Sequence, residues 1–358
     1  MPKSAKRGEV VTNITNVLNK HIIANNCILL FVNCQLLILN CQLSINLYLC
    51  HTNSQTDKSE IGKSMKIAIY IRQYSTENEA ILRELFSHLL SEDEVFIECE
   101  ILKELNIRSH QFLRAKPFSS FADLNNSYEV MLTIGGDGTL LKGITYLRDL
   151  QIPILGINSG RLGFLANAHK DDLQNVFLQL RDKTYEVVER SVIEAVYADS
   201  GEPVDPINFA LNEITVTRKN TASMITIDTE LGGDFLSSYW ADGLIISTPT
   251  GSTGYSLSCG GPVILPTAKN FVITPIAPHN LNMRPLIIPE DTEIKLTISG
   301  REKKFLLSLD SHIKSVDKKH SIIVRKAPFV VKMIRLDGDS FINTLRYKLL
   351  WGEDRRNK

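Results

Sequence analysis

The sequence predicts an α/β plus β protein: a Rossmann-like α/β domain, then a β-sandwich domain, then a C-terminal helix packing back on the first domain. Three observations predict it. Apolar strands alternate with helical patterns between residues 66 and 181, which gives a mostly parallel sheet covered by helices. After residue 185 helical periodicity stops, and short β-rich segments follow one another between Gly, Pro, Asn and Asp. An apolar helical stripe returns only at Ser340–Trp351.

The elements follow in chain order. No Asp, Glu, Lys or Arg occurs from His21 to Thr56, and Asn33-Cys34-Gln35-Leu36 is nearly repeated as Asn40-Cys41-Gln42-Leu43. A membrane anchor needs about 20 mostly apolar residues. Here Asn25, Asn26, Asn33, Gln35, Asn40, Gln42 and Asn46 interrupt the run, each costly in hydrocarbon. A signal peptide would want a shorter basic start and a small-residue cleavage site. A disordered tail is a third reading, and a segment outside the working protein is the one the composition favours. Met65 then opens a clean strand, Lys66–Ile71, followed by a helical pattern over Glu77–Ser91 with Ile81, Leu82, Leu85, Leu89 and Leu90 on one face. An apolar strand, Tyr128–Ile134, runs into glycines. A helix is predicted over Leu140–Leu150, a buried strand over Ile152–Ile157, and a helix over Asp171–Arg181. The β-rich segments are Tyr185–Tyr197, Glu213–Arg218, Met224–Thr229, Gly243–Ser247, Glu293–Ser299, Lys304–Leu309, Ser321–Lys326 and Phe329–Leu336. At the end, Phe341, Leu345, Leu349 and Leu350 form the last stripe. The layout gives four segments: an extension (1–64), the α/β domain (65–184), the sandwich (185–336), and the final helix and tail (337–358).

Composition narrows the function classes. The 358 residues carry 40 Lys plus Arg against 40 Asp plus Glu, a formal net charge of zero. A general nucleic-acid binder would be basic. Four of six cysteines fall in the first fifty residues, and no C-x-x-C pair occurs. A zinc site or a disulfide framework is therefore not expected, and a cytoplasmic protein is.

Chemistry concentrates in two stretches. Gly135-Gly136-Asp137-Gly138-Thr139 follows an apolar strand and precedes a helix. Gly135, Gly136 and Gly138 let backbone N–H groups approach phosphate oxygens, with Thr139 completing a phosphate loop and the helix adding its positive end. Asp137 is the unusual member, because a bare carboxylate repels phosphate. It fits if it accepts a proton from an attacking hydroxyl, holds a metal, or does both; the bland alternative is a helix cap. The second stretch, Asp242 to Pro262, is an apolar strand running into a loop dense in hydroxyls and glycines, with an aromatic face at Tyr255. It suits a polar, planar ligand. Asn212-Glu213 precedes an alternating strand and is uninformative alone.

Together these residues resemble the NAD kinase family. The resemblance covers Met65 to the C-terminus and includes Gly135–Thr139, Leu155–Leu165, Asn212-Glu213, Asp242–Pro262, Pro278-His279 and Arg284-Pro285-Leu286. It implies ATP-dependent phosphorylation of the 2′-hydroxyl of the adenosine ribose of NAD, giving NADP, with Mg2+ as the expected divalent metal. It implies that Asp137 is the general base and that Asp137 and Gly138 contact the dinucleotide. Asn212 and Glu213 would hold ribose and adenine groups. Asp242, Thr250, Thr253, Gly254, Tyr255, Ser256, Leu257 and Ser258 would bind the second half of the ligand. Lys142 would meet a phosphate, or else be a solvated helix lysine, and Trp240 and Ala277 would be pocket walls. No protein metal ligand is expected beyond Asp137. The expected partners are NAD and ATP, without nucleic acid or membrane, in a homo-oligomer (dimer or tetramer). One departure is Gly254, where the family often has Ala. Lipid and sugar-phosphate kinases share the Gly-Gly-Asp-Gly turn but are not expected to carry Asn212-Glu213 or the Asp242–Pro262 loop. A dinucleotide sensor without turnover would not need Asp137.

Overall fold

The computed structural model describes residues 64–351 except 161–162 and 221–223, together with two short strands, Leu30–Val32 and Gln35–Leu37. These two pair antiparallel with each other. The chain divides into units of residues 1–61 and 62–358. The expectations for most of the extension, for Arg161 and Leu162, and for the tail 352–358 lie outside the described residues.

In the second unit, strands Lys66–Ile71 (β1), Glu94–Glu98 (β2), Lys116–Phe118 (β3), Val130–Ile134 (β4) and Ile154–Asn158 (β5) form a parallel sheet in the order β5-β4-β1-β2-β3. Alternate residues serve opposite faces. Ile67, Ile69 and Ile71 pack under helices Thr76–Ser87 (α1), Cys99–Arg108 (α2) and Leu173–Asp182 (α4). Ala68 and Tyr70 share the other cluster with helix Asp137–Leu147 (α3). The helix α1 stops at Ser87, short of the predicted Ser91. Asp93 takes the N–H groups of Leu90 and Met65 (2.8 and 2.9 Å) and turns the chain there. The helix α3 begins three residues before the predicted start, because Gly136 is extended and serves as its N-cap.

The second half contains strands Glu186–Tyr197 (β6), Glu213–Arg218 (β7), Ile225–Leu231 (β8), Asp234–Ala241 (β9), Gly243–Ser247 (β10), Asn270–Ile276 (β11), Leu286–Pro289 (β12), Ile294–Ser299 (β13), Lys304–Leu309 (β14), His312–Asp317 (β15) and Ile322–Arg335 (β16). Six form an antiparallel sheet, β12-β11-β10-β7-β14-β15. The others continue the parallel sheet: Met333 of β16 pairs parallel with Ile154 of β5, and β13, β8 and β9 follow outward. Between the two layers, Ile227, Leu296 and Ile298 meet Ile214, Val216, Leu244, Ile246 and Phe271 in one dry core. This is the sandwich. The two segments predicted at 321–326 and 329–336 are one strand, β16, whose register against β6 shifts between Lys326 and Val330. Pro328, which has no N–H to give, sits in that irregularity. The final helix, Phe341–Leu349 (α5), returns to the first domain: the Phe341 ring lies 6.5 Å from Phe164, and the Asp337 N–H meets Gln179 of α4 at 2.8 Å.

Candidate active site

The glycine turn is built around α3. Gly135 has φ +148° and donates its N–H to Ile157 at 2.9 Å. A Cβ there would stand 2.4 Å from the Thr139 hydroxyl, so this position is closed to other residues. Asp137, the first residue of α3, does not point its carboxylate into open solvent. Oδ2 accepts the Phe164 N–H at 2.8 Å, and Oδ1 accepts the N–H groups of Leu165 and Ala166 at 3.0 Å each. The loop after β5 comes this close because Gly163 has no side chain: its Cβ would lie 1.9 Å from Oδ1. A carboxylate offers about four acceptor positions. Three are used, which leaves one on Oδ2. Asn158 shapes the same loop, accepting the Gly160 N–H at 2.7 Å.

A second group gathers where β7 begins. Leu211 packs in the same cluster as Leu140, Ile144 and Leu165. The chain therefore passes from the core that seats α3 directly into Asn212-Glu213. The Asn212 carbonyl accepts the Thr248 N–H at 2.9 Å, and the Thr248 hydroxyl bonds the Leu211 carbonyl at 2.5 Å. Gly251 fits against this corner because a Cβ there would lie 2.2 Å from the Asn212 oxygen. Asn212 Oδ1 and Glu213 Oε2 are both buried without a hydrogen-bond partner. Two unmatched polar atoms in one corner suit a ligand bearing hydroxyl or amino groups. Burial pushes the Glu213 carboxyl up to about 8, with the Asp310 charge adding to it and the Tyr255 backbone N–H opposing.

Asp310 carries no sequence signal. It sits after β14, half-buried, at φ +49°. Its carboxylate accepts the N–H groups of Leu211, Asn212 and Glu213 at 2.9, 2.8 and 3.1 Å. Burial raises its carboxyl to about 6, against the pull of those three bonds.

The hydroxyl-rich loop is more scaffold than the sequence suggests. Ser252 bonds Pro249 and receives the Ile264 N–H, and the Ser256 hydroxyl is committed to Thr274 at 2.9 Å. Tyr255 and Ser258 stand exposed, whereas Thr250 is buried. Gly254 faces Glu213: a Cβ would lie 3.2 Å from Oε2, a tight contact that this chain avoids. Asp242 is paired with Arg218 at 2.9 Å. Both Asp242 and Glu213 act on the Tyr255 hydroxyl, whose pKa is raised chiefly by burial. Trp240 packs on His279 with ring centroids 4.4 Å apart, and Ala277 turns the chain there at φ +44°.

Among the described residues no group of three or more His, Cys, Asp or Glu side chains could hold a metal ion. Magnesium, however, takes one or two carboxylates and fills its shell with substrate phosphates and water. The remaining Oδ2 position of Asp137 fits that use or one hydroxyl, not both. Among the described residues no helix is long and apolar enough to cross a membrane.

Models of two families match the chain: the ATP-NAD kinase N-terminal domain over residues 67–185 and the ATP-NAD kinase C-terminal domain over 211–336. The NAD kinase of Christiangramia forsetii is 51% identical over 296 residues, which is 82% of this chain and all of the relative. That of Flavobacterium psychrophilum is 49% identical over 295 residues, again its whole length and 82% of this chain. Among solved structures, yeast NADH kinase complexed with NADH superposes with TM-score 0.76 at 23% identity, covering 84% of this chain and 91% of that one. An NAD kinase from Archaeoglobus fulgidus in complex with ATP gives TM-score 0.61 at 25% identity, covering 80% and 99%.

Proposed function

The chain belongs to the ATP-NAD kinase family, and from this premise we propose how its residues divide the work of making NADP. The reaction transfers a phosphoryl group from ATP to the 2′-hydroxyl of the adenosine ribose of NAD. Asp137 is the proton acceptor. The observation that carries this is its carboxylate, held by three backbone N–H groups with one Oδ2 position left. A carboxylate is a weak base for an alcohol, so it takes the proton late, as charge builds on the oxygen. Positioning and electrostatics supply most of the rate. Bound Mg2+ would neutralise donor-phosphate charge, held by the donor's phosphates and water, because the one Oδ2 position left on Asp137 is taken by the ribose hydroxyl.

Asn212 Oδ1 and Glu213 are the polar contacts for the adenosine half. Glu213, neutral near pH 7, can donate as well as accept. Asp242, Thr250, Thr253, Gly254, Tyr255, Leu257 and Ser258 line the approach of the second half, and Ser256 acts through the loop it braces. Trp240 and Ala277 form a wall. A homo-oligomer would cover the exposed Trp240, Leu281 and Ile287. A cytoplasmic setting is consistent with the free thiols Cys99 and Cys259.

The test is purified protein with NAD, ATP and magnesium, and then Asp137→Asn. NADP forms with the parent. The variant loses about 1,000-fold in kcat and keeps its NAD affinity within a few-fold. Near-normal NADP formation by the variant removes Asp137 from its role.

A further inference from the structure

Arg72 is the residue directly after β1, exposed in the bend that leads to α1. Because β1 lies beside β4, with Ile71 opposite Ile134, Arg72 stands at the carboxyl edge of the sheet next to the glycine turn. One guanidinium nitrogen, Nη1, reaches to 3.6 Å from where a Gly138 Cβ would be, over the first turn of α3. Carboxyl edges of parallel sheets are where such folds bind their ligands.

The charge there is unmatched. Asp137 is the neighbour of Gly138, yet it forms no ion pair with Arg72, since three backbone N–H groups hold its carboxylate on the far loop. Among the described residues Arg72 has no hydrogen-bond or ion-pair partner. Tyr70 gives it no negative charge, because burial pushes that phenol up to about 12. Lys142 lies four residues after Gly138 on α3, hence on the same helix face one turn along. It too lacks a partner among the described residues. Two free cations thus attend one helix start, whose leading N–H groups have no partner within the helix. A solvated surface arginine would gain nothing from that placement, whereas a phosphate chain would meet a fork of donors and a second positive charge.

We propose that Arg72 binds the triphosphate of the phosphoryl donor, with Lys142 beside it on α3. This rests on the kinase reading above and adds a residue to that site. The guanidinium would hold the donor's terminal phosphates against the turn of α3 and would leave NAD to the Asn212-Glu213 corner.

Steady-state kinetics of Arg72→Ala and Arg72→Lys, with each substrate varied in turn, test it. The expected result for Arg72→Ala is a tenfold or greater rise in KM for ATP, with KM for NAD within twofold. Arg72→Lys falls between, because it keeps charge without the fork. Inorganic tripolyphosphate, used as a probe competing with ATP, loses inhibition of Arg72→Ala in the same proportion. Melting temperature stays at the parent value, since Arg72 makes no internal bond. An unchanged KM for ATP overturns the proposal. So does an equal rise for both substrates, or one confined to NAD, which would give Arg72 to the dinucleotide. A loss confined to inhibition by NADP would assign it to the product's 2′-phosphate and also overturn the proposal. Failure of the parent protein to make NADP would sink the kinase reading itself, a separate outcome.

Discussion

Glu213 and Asp310 share one buried corner but not one charge state. Asp310 accepts three backbone N–H groups and titrates at about 6. Glu213, with Oε2 unmatched, titrates at about 8. Its folded pKa lies above the ordinary value of 4.5, so the folded state binds a proton that the unfolded chain has released. Stability from this group is fully present below pH 4.5 and is lost as pH rises through 8, by at most about 1.4 kcal/mol per pH unit. Asp310 adds a smaller loss between its ordinary 3.8 and about 6. We predict that the ligand-free melting temperature falls from pH 6 to pH 9, and that Glu213→Gln, neutral throughout, flattens that fall. Parallel curves would show that Glu213 is ionised in the fold. At this scale the sequence showed only part of the site. Asp137 was legible because an acid among phosphate-loop glycines is out of place. Asp310 was not, because Leu309-Asp310-Ser311-His312 reads as an ordinary hairpin tip, and its place in the corner depends on bonds to residues about 97 positions away. Arg72, proposed above as a donor contact, gives no sequence signal for a similar reason: an arginine after a strand is unremarkable until Gly138 is placed beneath it.

Among elements, the loop after β5 decides where Asp137 can be. Its three N–H groups converge on the carboxylate only because Gly163 leaves room. Gly163→Ala would put a methyl 1.9 Å from Oδ1, so either the carboxylate or the loop must yield. Overpacking of this kind costs about 1–3 kcal/mol, and displacing Asp137, the proposed proton acceptor, costs rate as well. We predict a lower melting temperature together with a kcat reduced about 100-fold. Gly160→Ala in the same loop, where a Cβ meets nothing within 4 Å, should melt near the parent temperature. Equal melting temperatures for the two variants would contradict the close approach. Element boundaries show where sequence reasoning loses sight. The start of α3 depends on Gly136 being extended, and the end of α1 on a carboxylate six residues beyond the helix. The strands β2, β3, β9, β11, β12 and β15 escaped notice. β2, β3, β12 and β15 are short, and several carry charges on an open face, so alternation over so few residues is a weak signal. β9 is longer but half of it is exposed, and β11 carries Pro275, which argues against a strand in sequence. By contrast β1, β4 and β5 are buried on both faces and read as unbroken apolar runs.

On the scale of the molecule, one sheet of twelve strands runs from the parallel α/β region into the sandwich, joined through β16. Asp137 opens α3 over the first region, and Glu213 opens β7 in the six-stranded sheet of the second; the shared core of Leu140, Ile144, Leu165 and Leu211 is what ties the two places together. Met65 stands directly before β1. That residue is 3% exposed, and its N–H meets Asp93 Oδ1 at 2.9 Å, inside an ion pair with Arg181. A chain starting at Met65 would present an ammonium group to the same carboxylate, which retains the contact and gives it a charge. Among the described residues the bond lost is the one from the Ser64 hydroxyl to the Glu92 carbonyl, at the surface, where it contributes little. Residues 21–56 carry no Asp, Glu, Lys or Arg for catalysis or phosphate binding. We predict that protein starting at Met65 keeps the parent's kcat, both KM values and its solubility, and melts within about 2 °C of the parent, because no cavity or unpaired buried group is created. Thermal melts and NADP assays of the two chains side by side decide the matter. A loss of activity or of solubility on truncation would mean that the extension supports the fold or the site.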